Sequence, residues 1–121
     1  MSPWRRARGP GETLPSTIKR RHARYLLNTG LAVISGTGDQ QINIRSRAVD
    51  ISESGVGGVF HETWKVGIRV DLEMSLPVGP ALLNVAAIVR HHTGTRYGFE
   101  FIDISPEQRG ILRDACKLLR A

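Results

Sequence analysis

Two stretches of this sequence carry side chains whose types and spacing could do chemistry. The first is Lys19-Arg20-Arg21-His22-Ala23-Arg24, in which guanidinium groups could grip anions through paired N–H donors. The second is Asp50-Ile51-Ser52-Glu53-Ser54-Gly55, which offers a carboxylate acceptor, small hydroxyls and a glycine that lets backbone come close to a neighbour. Each stretch also has a plain structural explanation. A run of basic residues is satisfied by solvent, while Asp and Ser bind turn backbone through their own side chains and Gly supplies a left-handed φ.

The familiar catalytic patterns are missing. His22, His61, His91 and His92 lack the paired spacing of a zinc site, and adjacent histidines on a strand should point to opposite faces. Cys116 lies within a helical pattern with no histidine near it in sequence, which suits a buried structural thiol better than a nucleophile. There is no Gly-x-Ser-x-Gly elbow, and Gly55-Val56-Gly57-Gly58 lacks the lysine and following helix of a phosphate loop. The expectation is a protein that is not an enzyme and holds neither a metal nor a cofactor.

The elements that would position these residues can be read from charge and periodicity. The chain has 121 residues and a formal net charge of +6, enough length for one modest core. Residues 1–24 hold seven basic side chains against Glu12 alone, which leaves ten basic and ten acidic residues for the remainder. The positive excess therefore belongs to the N-terminal fifth and points to an anionic partner there. Residues 1–18 are rich in Pro, Gly, Ser, Thr and Arg without hydrophobic period, and are expected to form a flexible basic arm, with the folded domain spanning 19–121. A single cysteine suits a reducing cytoplasm, no apolar stretch follows the first arginines as in a signal peptide, and no apolar run approaches the length of a membrane span.

Strand signals follow. Tyr25 to Ile34 is apolar with a β-branched end and runs into the turn cluster Ser35 to Asp39. In Gln41 to Val49, Ile42, Ile44, Ser46 and Ala48 alternate with Asn43, Arg45, Arg47 and Val49, the period of a half-buried strand. After the glycine-rich stretch Gly55 to Phe60, the segment Gly67 to Leu76 alternates cleanly and stops at Pro77 and Gly79-Pro80. Ala81 to His91 and Thr95 to Ile102 make a further hairpin around His92-Thr93-Gly94, with Tyr97, Phe99 and Phe101 on one face. Strand starts at this spacing with no intervening helix predict an antiparallel barrel or sandwich. From Ser105 the period changes: Ser105 suits an N-cap, Pro106 the first turn, and Ile111, Leu112, Ala115, Leu118 and Leu119 line one face of a closing helix.

With both clusters placed around the first two strands, the sequence resembles the PilZ domain family. That family carries Arg-x-x-x-Arg before its first strand and Asp/Asn-x-Ser-x-x-Gly about 25 to 30 residues later. Arg20 and Arg24 match the first motif, and Asp50, Ser52 and Gly55 match the second. Ala87-Ile88-Val89-Arg90, Tyr97-Gly98-Phe99-Glu100-Phe101 and the closing helix look like the family's later elements, so the similarity spans nearly all of residues 19–119. The resemblance implies a mainly β fold, a six-stranded antiparallel β-barrel with a C-terminal α-helix, and a cyclic di-GMP site on its outside.

The residue chemistry agrees with that implication. Cyclic di-GMP presents two phosphodiesters and two guanines, and guanidinium groups can fork onto phosphate oxygens or guanine O6 and N7, or lie across the base. Arg20 and Arg24 suit that role, with Arg21 between them as a further contact and Lys19 and Arg90 as additional candidates. Asp50 could accept from guanine N1–H and N2–H, with Ser52 adding a hydroxyl and Gly55 a close backbone approach. A basic residue before the first motif arginine is linked in the family to an intercalated pair of ligands, so Lys19 leaves one or two molecules per site open. The implied role is a receptor or adaptor in bacterial second-messenger signalling, ligand ordering the arginine-rich arm against the Asp50 to Gly55 turn and an unidentified downstream protein receiving the signal. The competing readings are a PilZ-like interaction protein of pilus or motility machinery without ligand, and a small nucleic-acid-binding β-barrel. The second of these wants exposed aromatics for base stacking, whereas Tyr97, Phe99 and Phe101 read as core.

Overall fold

The computed structural model describes residues 23–36, 38–77 and 82–120; the expected arm, with Lys19, Arg20 and Arg21, lies outside them. Six strands run in chain order: β1 (Tyr25–Ser35), β2 (Ile42–Ile51), β3 (Gly55–Val59), β4 (Arg69–Met74), β5 (Leu83–Thr93) and β6 (Arg96–Ile102), followed by helix α1 (Pro106–Arg120). All pairings are antiparallel, and the strands close in the order β1-β2-β3-β6-β5-β4, with β4 returning to β1. This is the closed barrel the alternating pattern predicts, and closure removes the sheet edges that an open sheet of this size would expose.

Inward-facing residues fill the barrel: Leu31 and Val33 from β1, Val70 and Leu72 from β4, Val85, Ala87 and Val89 from β5, and Tyr97, Phe99 and Phe101 from β6. Leu112, Ala115 and Cys116 bury one face of α1. Ser105 caps that helix reciprocally with Gln108: its Oγ accepts from Gln108 N at 3.1 Å, and its N donates to Gln108 Oε1 at 2.9 Å. Burial, and secondarily the charge of Glu53, push the Cys116 thiol up to about 11, the reverse of what a nucleophilic cysteine needs. The loop after β3 packs Phe60 and Trp64 into the core. There Tyr97 Oη donates to Glu62 O at 2.6 Å and accepts from Trp64 N at 3.0 Å, while its ring meets Phe60 and Trp64 edge-on.

Three features depart from simple alternation. The glycine-rich segment is a strand, β3, and its bareness is needed: a Cβ on Gly58 would lie 2.8 Å from both Leu31 Cδ2 and Phe60 Cε2. The His92-Thr93 pair belongs to β5 rather than to a turn, and the reversal falls at Gly94, where φ is +60°. Most consequential is a bulge in β2. Ala48 pairs with Gly58 and Asp50 with Gly57, so Val49 is one residue extra and the strand changes parity there. Strict alternation from Ala48 would aim Asp50 inward and Ile51 outward; instead Ile51 is fully buried and Asp50 turns to the outer surface.

Candidate functional site

A second bulge mirrors the first. On β5, Val89 pairs with Phe99 but His91 with Gly98, so Arg90 is the extra residue and His91 is carried to the outside. The two bulges align one outer row across five strands: Leu26, Asp50, Gly57, Gly98, His91. Its centre is a pair of opposed glycines. A Cβ on Gly57 would collide with the Asp50 carboxylate, and one on Gly98 with the His91 imidazole, so both side chains lie down over bare backbone.

Two arginines meet on Asp50. Arg24, just before β1, donates from Nη1 to Oδ1 at 3.0 Å, and Arg96, the first residue of β6, donates from Nη2 to Oδ2. Together with His91, Thr93 and Tyr97 they line an open cleft of about 360 Å³ on the outside of the barrel, floored by Gly57 and Gly98. Such a surface can hold an anion between its guanidinium groups.

The residues singled out in the sequence take different places. Arg24 and Asp50 are brought together in the cleft. Ser52 is buried, and its Oγ accepts from the backbone N–H of Ser54 and of Gly55, both at 3.1 Å, so its hydroxyl holds the turn. Gly55 abuts β6, where a Cβ would strike the carbonyl of Phe99 and stand 3.5 Å from Arg24 Nη2; its bareness lets strand and arginine approach. Arg90 pairs through Nε with Glu100 Oε1 and is not among the residues that line the cleft. Arg96, His91, Gly57 and Gly98 were not singled out. The alternation of Tyr97, Phe99 and Phe101 does place Arg96 and Gly98 on the outer face of β6, but nothing in it says that β6 lies beside β3. Among the described residues no cluster of His, Cys, Asp and Glu could hold a metal ion, and no helix is long and apolar enough to cross a membrane.

The family model for the PilZ domain matches residues 18–118. The chain belongs to the PilZ domain family. Solved structures agree on its fold. This PilZ domain is similar to the PilZ domain of YcgR from Escherichia coli, solved with c-di-GMP, at TM-score 0.67 and 18% identity over 84% of this chain and 92% of that one. It is also similar to the Bacillus subtilis inhibitor of motility MotI/DgrA, at TM-score 0.65 and 17% identity, over 88% of this chain and 56% of the other. The PilZ domain of CeSA from a cellulose-synthesizing bacterium matches at TM-score 0.62 and 16% identity, over 79% of this chain and 97% of that one. No curated protein matches this PilZ domain significantly in sequence.

Proposed function

We propose that this PilZ domain is a cytoplasmic receptor for cyclic di-GMP, taking one or two molecules per site and passing the signal to a downstream protein. The observation that carries this reading is the pairing of Arg24 with Asp50 in the cleft, which unites the last residue of one motif with the first residue of the other. Family membership and the c-di-GMP named for the YcgR structure support it. In this reading Arg20, Arg21 and Arg24 bind phosphate and guanine, Asp50, Ser52 and Gly55 shape the facing turn, and Lys19 and Arg90 are additional contacts. Neutralising the clustered arginines with two phosphates draws the 19–24 segment against the turn. No cofactor and no catalysis are part of the proposal.

Calorimetric titration with cyclic di-GMP tests it. Saturable binding at one or two equivalents is expected, with Arg24→Ala weaker by about ten- to hundredfold, the range for a lost bidentate guanidinium contact; absence of heat with the native chain overturns the reading. In the same samples ligand should slow trypsin at Arg20, Arg21 and Arg24 well beyond its effect at Arg5, Arg6 and Arg8. Equal cleavage with and without bound ligand would show that the arm is not the switch.

A further inference from the structure

We propose that Arg96 is a second ligand-gripping arm of this cleft, and that Asp50 acts as a positioning residue for Arg24 and Arg96 rather than as an acceptor for guanine. The proposal rests on the cyclic di-GMP reading and deepens it. Arg96 falls outside both arginine and aspartate motifs, and its place follows from the topology alone. It opens β6, which pairs with β3 and so stands beside the β2 residue Asp50 across a single narrow strand. Its side chain is 50% exposed, whereas that of Asp50 is only 16% exposed. Each oxygen of the carboxylate already accepts from a different guanidinium, and its under-surface rests on Gly57. One acceptor site on each oxygen is thus taken, and the low exposure leaves little of the carboxylate open to a base edge. What it does is hold two cations close together that would otherwise repel.

A guanidinium has five N–H donors in one plane, so a single contact from Arg96 to Asp50 leaves donors for a second acceptor. Asp50 fixes the orientation of that plane at the cleft. The charge arithmetic agrees: one carboxylate between two guanidinium groups leaves the trio net positive, matched to a phosphodiester and not to a neutral base. Arginine is suited to this double duty, because its fork can face the carboxylate with one edge and a phosphate with another, which a lysine point charge cannot.

The test is a double-mutant cycle read by calorimetric titration of the full chain with cyclic di-GMP. Arg96→Ala should weaken binding about ten- to hundredfold and flatten its dependence on ionic strength, since a charge contact to phosphate is screened by salt. Arg96→Lys should recover only part of the loss. Asp50→Ala should weaken binding as well, and the Asp50→Ala/Arg96→Ala pair should lose far less than the product of the two single effects, because one acts through the other. Thermal unfolding of each variant separates folding from binding. Native-like affinity and salt dependence for Arg96→Ala, with the native chain binding, would overturn Arg96 as a contact while leaving the receptor reading intact. Fully multiplicative losses in the double variant would overturn the positioning role of Asp50 and restore a direct contact to the ligand. A native chain that does not bind cyclic di-GMP would sink both this inference and the reading beneath it.

Discussion

Replacing Tyr97 by Ala is expected to cost about 3–5 kcal/mol, the range for deleting a large aromatic side chain from a packed core. Tyr97 is fully buried. Its ring meets Phe60, Trp64 and Phe99 at centroid distances of 6.4, 5.0 and 6.1 Å, and the His92 ring stacks on it at 4.1 Å. Its hydroxyl serves two backbone groups of the loop after β3, Glu62 O and Trp64 N. The loss is large against the roughly 5–15 kcal/mol that holds a typical domain together, and it should lower Tm by more than about 12 °C. Tyr97→Phe separates the contributions: the ring stays and only the two loop contacts go, for about 1–3 kcal/mol. Urea and thermal unfolding of both variants provide the check. A loss below about 1 kcal/mol for Tyr97→Ala would contradict a core built on this residue.

Most of that core was legible in the sequence. Tyr97, Phe99 and Phe101 alternate with Arg96, Gly98 and Glu100, and a sheet with one buried face requires that alternation. The closing helix was legible for the same reason, since its apolar residues repeat at helical spacing. What periodicity could not supply is any place where the chain breaks its own period. The bulges at Val49 and Arg90 each insert one residue, and a single insertion sends every later side chain to the other face. Asp50 and His91 follow those insertions directly. A strict reading would have aimed both into the barrel, where an unpaired carboxylate is costly.

The site was therefore half legible. Arg24 and Asp50 were found through the motifs they share with the family, but the motifs do not say what each residue touches. Ser52 binds its own turn, and Gly55 makes room for Phe99 O and Arg24. Arg96 was invisible because it is 46 residues from Asp50 in sequence and is joined to it only by the order β2-β3-β6. Strand order in a barrel is set by long-range pairing, and local pattern carries no record of it. The same holds for Gly57 and Gly98, whose opposition depends on the β3–β6 register.

Gly57→Ala should then weaken cyclic di-GMP binding by tenfold or more, about 1.4 kcal/mol or above, with little change in fold stability. A Cβ there would meet the Asp50 carboxylate head-on, with Asp50 Cγ at 3.2 Å and Arg96 Nε at 3.4 Å. Asp50 sits on the outer face of a strand whose next residue, Ile51, is fully buried in the core, so it must swing outward and release one or both arginines. The barrel itself has no objection to the methyl group. Gly57 carries no positive φ, the added side chain lies on the outer face, and alanine restricts the unfolded chain more than glycine does. Gly30→Ala serves as the control, since its nearest neighbour would be Ser75 Oγ at an ordinary 3.8 Å and both affinity and Tm should hold. The decisive measurement is affinity beside Tm for the two variants. Native-like binding by Gly57→Ala would mean that the grip of Arg24 and Arg96 on Asp50 is dispensable for the ligand, and a Tm collapse would mean that Gly57 serves the barrel rather than the site.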